Sequence, residues 1–97
     1  MVAGTAEQLM RSRYAAFAVG DVDHLLATWH PATRPAALSL DPGQRWLRLE
    51  VLATTGGGLL EREGTVTFRA HSSDGVVEER SRFVRDAGRW VYAGPSS

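Results

Sequence analysis

The chain has 97 residues, the length of one domain, and it contains no cysteine, which excludes disulfide bridges, thiolate chemistry and cysteine-ligated zinc. Eleven acidic residues balance eleven basic ones, so the basic surplus of a dedicated nucleic-acid-binding protein is missing. No apolar run approaches the roughly 18 residues of a transmembrane helix, and no signal peptide pattern precedes the first helix. We therefore expect one cytoplasmic domain over residues 1–97, with a disordered tail over 94–97, that binds neither nucleic acid nor membrane.

Two amphipathic helices are predicted at the N-terminal end. The segment Thr5–Gln8 has the spacing of a capping box and opens a helix predicted over Ala6–Val19, which ends at Gly20. Asp21 is a typical N-cap residue for a second helix, predicted over Val22–His30. Because only two residues link these helices, we expect them to form a tight hairpin.

After a proline-rich connection, with a helical turn predicted around Pro35–Leu38, the hydrophobic period changes to two. Four strands are predicted, over Trp46–Thr54, Thr65–His71, Val76–Arg85 and Arg89–Ala93. Short turns that contain glycine separate them, which is typical of an antiparallel meander. The predicted class is therefore α+β, with an N-terminal helical hairpin packed on a curved four-stranded antiparallel sheet.

Strand alternation predicts which side chains face the helices. The inward set is Leu47, Leu49, Val51, Val66, Phe68, Ala70, Val77, Glu79, Ser81 and Phe83. Trp46 then lies on the outer face, and the length of the loop before Arg89 decides the face of Trp90 and Tyr92. An outer row that contains Trp46, and Trp90 if the loop turns it outward, favours a homodimer through this face.

Several segments resemble the YchJ family of uncharacterised bacterial proteins. In chain order they are Thr5–Tyr14 with Ala16 and Phe17, Leu26–Pro31, Thr33–Pro35, Trp46–Leu47, Leu49–Val51, Glu79–Val84 and Gly88–Trp90. The resemblance spans nearly the whole chain and implies a nuclear transport factor two-like (cystatin-like) cone, in agreement with the predicted helices and strands. Family members usually begin with a cysteine-rich, zinc-binding SEC-C motif, which these 97 residues do not contain. We therefore expect either a portion of a longer protein or a stand-alone central domain, and we carry over no zinc-dependent role.

Arg13 is the most informative single residue. It falls in the middle of the apolar stripe of the first helix, between Leu9 and Phe17. An unpaired buried charge costs several kcal/mol, so a partner is required, with Glu79 the best candidate and Glu50 the second. Either the pair is structural and fixes the helix on the sheet, or the guanidinium lies at the base of the cone and binds an anionic ligand.

The other polar residues are weaker candidates. His30 is the last residue of the predicted second helix and is either an acid–base group or a helix-terminal residue that bonds a free carbonyl. Ser81 lies inward beside Glu79, but no histidine or oxyanion element marks it as a nucleophile. The histidines lack ligand spacing with carboxylates and the Gly56–Gly58 loop precedes no helix, so neither a metal nor a cofactor is expected.

The candidate ligand-binding set is Arg13, Tyr14, Trp29, His30, Arg34, Glu79 and Ser81. The aromatic residues around it, including the three tryptophans, either line a pocket or fill the core. The leading hypothesis is a non-enzymatic module that binds a small polar or anionic ligand in the cone, or a partner on the sheet. The alternative is a small cofactor-free isomerase or hydrolase that uses Arg13, His30 and Glu79, although no catalytic residue is assigned. A hollow cone favours a site, whereas a filled one favours a scaffold.

Overall fold

The computed structural model describes residues 3–96 and contains two helices and four strands. They are α1 (Ala6–Val19), α2 (Val22–Ala27), β1 (Trp46–Gly56), β2 (Glu63–Ser72), β3 (Gly75–Asp86) and β4 (Arg89–Pro95). The strands form one antiparallel sheet in the order β1-β2-β3-β4. Since α1 packs against both α2 and the sheet, the predicted α+β architecture is confirmed.

The two ends of α1 are built by the residues that the sequence indicates. Thr5 Oγ1 accepts a hydrogen bond from the Gln8 amide at 3.1 Å, while Gln8 Oε1 accepts one from the Gly4 amide at 2.8 Å. Gly20 closes the helix in the left-handed conformation, with φ 77°. The buried face consists of Ala6, Leu9, Met10, Arg13 and Ala16. The first helix therefore presents one charged residue to the interior.

Helix α2 is shorter than predicted and ends at Ala27. The backbone that follows it pairs with β4, because the His30 amide donates to the Tyr92 carbonyl at 2.8 Å and the Tyr92 amide donates to the Thr28 carbonyl at 2.8 Å. The Thr28 hydroxyl also bonds the His24 carbonyl near the end of the helix, at 2.7 Å. The prediction that α2 continues through His30 is wrong, since this tertiary pairing replaces the last helical turn.

The connection between α2 and β1 contains a turn at 31–33 instead of the helical turn predicted around Pro35–Leu38. The His30 carbonyl accepts hydrogen bonds from the amides of Thr33 and Arg34, at 3.0 and 2.8 Å. His30 Nδ1 accepts a further bond from the Ala32 amide at 3.0 Å. The chain therefore turns directly after the segment that pairs with β4.

A β-bulge in β1 changes the face of Trp46. Trp46 pairs with Ser72, and the register shifts before Arg48, so Leu47 is an extra residue between them. The Trp46 indole consequently packs on aromatic rings of α1, whereas Leu47 is 66% exposed. The predictions that Leu47 faces inward and Trp46 outward are both wrong, because one inserted residue reverses the alternation. Leu49, beyond the bulge, packs against the core as predicted.

The middle of β3 follows the predicted alternation. Ser81 and Phe83 are buried and Glu79 is half-buried, whereas the charged residues between them are exposed. Glu78, the exposed residue before Glu79, pairs with Arg69 of β2 at 2.7 Å. Glu79 and Ser81 are therefore held on the inner face of the sheet.

The turn between β3 and β4 has two residues, which settles the face of β4. Asp86 pairs with Arg89, and the two residues between them, Ala87 and Gly88, have φ angles of 52° and 81°. Two positive φ angles are typical of a type I′ turn. Trp90 is only 3% exposed, in the core cluster. Since both Trp46 and Trp90 are directed inward, the proposed reason for a homodimer through the outer face is lost, and a homodimer stays a prediction.

The C-terminal end of the described chain is paired rather than disordered. Strand β4 extends to Pro95, and the Ser96 amide donates to the Arg80 carbonyl at 2.7 Å. The tail predicted to be disordered from Gly94 is thus ordered through Ser96, while Ser97 lies outside the described residues. Neither of the two described helices is long and apolar enough to cross a membrane.

Candidate ligand-binding cavity

A cavity of about 300 Å³ lies between α1, the segment after α2 and the inner face of the sheet. Seven aromatic residues line it: Tyr14, Phe17, Trp29, Trp46, Phe68, Phe83 and Tyr92. The rest of the wall consists of Met10, Arg13, Val77, Glu79 and Ser81. An apolar wall with a few polar groups is typical of small-molecule sites, and the volume is at the lower end of their range.

The Arg13 guanidinium is buried in this wall, with the residue 6% exposed. Its Nη1 atom donates to the Leu25 carbonyl at 2.8 Å and to the Thr28 hydroxyl at 2.7 Å. Its Cζ atom lies 5.0 Å from the ring centroid of Trp29 and 4.7 Å from that of Tyr92. Two oxygen dipoles and two aromatic faces therefore surround the charge.

The prediction that Arg13 is buried is confirmed, but the prediction that it bonds Glu79 is wrong. Over residues 3–96, no carboxylate forms an ion pair with Arg13. Burial lowers the pKa of Arg13 to about 10, and Tyr92 and Glu79 oppose this shift only in part. The second predicted partner, Glu50, lies on the outer face, where it bonds His71 and Arg48. The end of α2 supplies the acceptors instead.

Two hydroxyl groups hold the Glu79 carboxylate in place. Ser81 Oγ donates to Glu79 Oε2, and the Tyr92 hydroxyl donates to the same oxygen at 2.9 Å. Burial and the neighbouring charge of Glu79 raise the pKa of Tyr92 well above its ordinary value, so the phenol remains a proton donor at neutral pH. Because the Ser81 proton is directed at a carboxylate and not at a histidine, Ser81 is a positioning group for Glu79.

Each of the two charged groups has an edge without a protein partner. Both hydrogen bonds of Arg13 start from Nη1, and both hydrogen bonds of Glu79 end at Oε2. Every fully buried side-chain nitrogen or oxygen within the described part of the chain has a hydrogen-bond partner. The unbonded Nε and Nη2 of Arg13 and Oε1 of Glu79 must therefore retain some accessible surface, and both residues line the cavity.

Five residues of the candidate set line the cavity, namely Arg13, Tyr14, Trp29, Glu79 and Ser81. The other two, His30 and Arg34, do not. His30 is used in the turn after α2, and Arg34 Nε and Nη2 donate to the Trp29 carbonyl at 3.3 and 2.9 Å. These two residues hold the backbone that positions the Trp29 ring.

Tyr92 lines the cavity beside both charged groups, and sequence reasoning missed it. Its ring touches the Arg13 guanidinium and its hydroxyl bonds Glu79, so it connects the two charged groups. The length of the turn before β4 determines the face on which Tyr92 lies, and the sequence alone does not fix that length. Trp90 instead lies outside this cavity, with Nε1 donating to the Gly4 carbonyl at 3.1 Å and Arg85 stacked on its ring at 4.5 Å.

A second hollow, of about 500 Å³, lies between the helices and β4 and contains Ser12 and His24. The Ser12 hydroxyl bonds the Leu9 carbonyl at 2.8 Å and lies 3.1 Å from His24 Nε2. Because the serine proton is directed at a carbonyl, this pair is not arranged as nucleophile and base. Among residues 3–96, no group of three or more histidine, aspartate or glutamate side chains is placed to hold a metal ion.

Comparison with known proteins identifies the family. The profile described as "YchJ, middle NTF2-like domain" matches residues 5–95. This chain belongs to the YchJ family. The YchJ-family chain is 60% identical over 91 residues to a UPF0225 protein of Streptomyces coelicolor, covering 94% of this chain and 73% of that protein. It is 54% identical over 94 residues to a UPF0225 protein of Corynebacterium efficiens, covering 94% and 72%.

Solved structures support the same fold for this YchJ-family domain. A SEC-C motif containing protein from Rhodopseudomonas palustris superimposes with a TM-score of 0.82 at 32% identity, covering 100% of this chain and 81% of that one. A SEC-C motif containing protein from Psychrobacter arcticus superimposes with a TM-score of 0.77 at 32% identity, covering 99% and 62%. The SEC-C motif is a property of those two proteins, while the shared part is the helical hairpin on the sheet.

Proposed function

We propose that this YchJ-family domain is a binding module whose cone takes up a small ligand with an apolar body and a polar end. One observation carries the proposal: Arg13 and Glu79 border the same cavity, do not pair with each other, and each keep an edge without a protein partner. A purely structural role for two opposite charges would favour a direct ion pair that closes the space between them.

The origin of the polar groups supports a site over an ordinary core. Arg13 comes from α1, Glu79 and Ser81 from β3, and Tyr92 from β4, and all converge within an aromatic wall. Convergent polar groups in an apolar pocket are the usual composition of a ligand site. The cost of keeping a guanidinium out of water, visible in its lowered pKa, is offset more fully once a ligand bonds its free edge.

The rival hypothesis, a cofactor-free isomerase or hydrolase, has less support. His30 lies outside the cavity, which removes its expected acid–base group. Glu79 is the one carboxylate among the described cavity residues, and its Oε2 is already engaged by two hydroxyl donors. A cytoplasmic location and partner binding on the sheet stay predictions.

A thermal-shift screen of small amphipathic compounds tests the proposal with a matched pair of variants. Glu79→Gln removes the charge inside the cavity. Glu78→Gln makes the same chemical change one residue earlier on β3, where the side chain faces outward and is 54% exposed. We expect a compound that stabilises the wild type and Glu78→Gln by several degrees to lose most of its effect on Glu79→Gln.

Two results would count against a site in the cone. One is a stabilising compound whose effect is the same in wild type and both variants, which would place its binding elsewhere. The other is a screen at millimolar concentration in which no compound stabilises the wild type.

A further inference from the structure

We infer that the ligand of the cone is a small zwitterion, an α-amino acid with an apolar side chain. The inference rests on the proposed function and adds the chemical class of the ligand. It comes from the free edges of Arg13 and Glu79, from the balance of charge between them, and from the aromatic wall around them.

The free edge of Arg13 has the geometry of a carboxylate receptor. Nε and Nη2 lie on the same side of the planar guanidinium, and their two N–H groups point in parallel. That pair of donors matches the two oxygens of a carboxylate in a bidentate arrangement. The remaining nitrogen, Nη1, is fixed by the Leu25 carbonyl and the Thr28 hydroxyl, which orients the free pair without using it.

The unbonded Oε1 atom of Glu79 can accept a hydrogen bond from a donor on the ligand. Oε2 already accepts from Ser81 and Tyr92, and Oε1 has no partner among the described residues. An ionised carboxylate only accepts hydrogen bonds, and it binds charged donors more strongly than neutral ones. No arginine of the described chain forms an ion pair with Glu79. An ammonium group of the ligand meets this requirement.

Charge balance favours one ligand with both groups. The cavity contains one cation, Arg13, and one anion, Glu79, and the Tyr92 side chain touches both. A ligand that is only an anion would bring a second negative charge close to Glu79, and a ligand that is only a cation would leave Arg13 uncompensated. A zwitterion with adjacent carboxylate and ammonium groups compensates both charges without changing the net charge of the site.

The residues that line the rest of the cavity indicate the chemistry of the ligand's side chain. Beyond the polar end, the cavity is bordered by rings such as Phe17, Trp46 and Phe68. An apolar or aromatic side chain buries its surface there, whereas a charged side chain would have no partner. The volume of about 300 Å³ suits a single amino acid and not a longer peptide.

Isothermal titration of the full chain with three related probes tests this inference. L-phenylalanine carries both charged groups, 3-phenylpropionate lacks the ammonium, and phenethylamine lacks the carboxylate. We expect phenylalanine to bind at least 10-fold more tightly than either analogue. In Glu79→Gln, the affinity for phenylalanine should fall to the level of 3-phenylpropionate, while Glu78→Gln should bind phenylalanine as the wild type does.

The outcomes separate this inference from the proposed function. If 3-phenylpropionate binds the wild type as tightly as phenylalanine does, the ligand is a simple anion and the inference is wrong. If none of the three probes binds but another compound gives stabilisation that depends on Glu79, the cone is a site for a different class of ligand. If no compound of any class binds, both proposals fail.

Discussion

Replacing Arg13 by methionine tests how the buried guanidinium is held. The change removes two charge-assisted hydrogen bonds, worth about 1.5–3 kcal/mol each. It also removes two cation–π contacts, worth about 0.5–1 kcal/mol each. The unbranched methionine side chain keeps part of the alkyl packing in the apolar stripe. The gross loss is therefore about 4–8 kcal/mol.

Relief from desolvation offsets part of this loss. Burial lowers the pKa of Arg13 from its ordinary value to about 10, a preference against the charged form of about 3 kcal/mol, which methionine does not carry. The expected net loss in free energy of unfolding is about 3 kcal/mol, or roughly 15 °C in melting temperature for a domain of this size. Urea denaturation followed by tryptophan fluorescence measures it. The control is Arg11→Met, an exposed position on the same helix, with an expected loss below about 0.5 kcal/mol.

Two results would contradict this description of how Arg13 is held. The first is an Arg13→Met variant as stable as Arg11→Met, which would show that the contacts to α2 and to the rings do no more than offset the desolvation of the guanidinium. The second comes from a double-mutant cycle with Glu79→Gln. We expect a coupling energy below about 1 kcal/mol because the two groups are not bonded, and a coupling of 3 kcal/mol or more would indicate a direct ion pair.

Three further predictions concern residues of the sheet and of its last turn. Gly64→Ala should cost about 2–3 kcal/mol because its Cβ would lie 2.6 Å from the Gly57 Cα, whereas Gly43→Ala in the exposed loop should be near neutral by urea denaturation. Ala87→Asn should add about 0.5–1 kcal/mol by the same assay, since Ala87 has φ 52° in a turn that prefers Asn-Gly. Tyr92→Phe should lower the free energy of unfolding by about 1 kcal/mol at neutral pH, because it removes the hydrogen bond from the Tyr92 hydroxyl to Glu79. Because folding raises the pKa of Tyr92, the stability that its hydroxyl contributes is complete below about pH 10 and is lost as the pH rises further. Thermal melts should therefore show the difference in melting temperature between wild type and Tyr92→Phe shrinking above pH 10.

Local sequence signals were sufficient to predict the architecture of the domain. The cap at Thr5 and the glycine at Gly20 placed both ends of α1, because these residues act through their own backbone conformation and nearest neighbours. The change of period after Arg45 placed all four strands to within two residues at each end. The position of Arg13 in the apolar stripe also predicted its burial, since the helical period alone decides that face.

The features that sequence could not provide depend on contacts between distant segments. Nothing distinguishes Leu47 from Leu49 as a residue type, so the bulge that turns Trp46 inward has no local signal. The end of α2 is set by backbone pairing with Tyr92, more than sixty residues further along the chain. Arg13 found a carbonyl and a hydroxyl instead of a carboxylate because α2 ends beside it, and that end was predicted three residues too late.

The three indole N–H groups offer the most direct test of ligand binding in the cone. Trp29 and Trp46 line the cavity, while Trp90 lies outside it, with its indole nitrogen bonded to the Gly4 carbonyl. The measurement is a two-dimensional NMR titration of the ¹⁵N-labelled chain with small amphipathic compounds, after assignment of each indole signal by a Trp→Phe variant. We predict that a bound compound shifts the signals of Trp29 and Trp46 and leaves that of Trp90 unchanged. Compounds that shift only the Trp90 signal, or a library in which none shifts Trp29 and Trp46, would show that the cone is not the binding site.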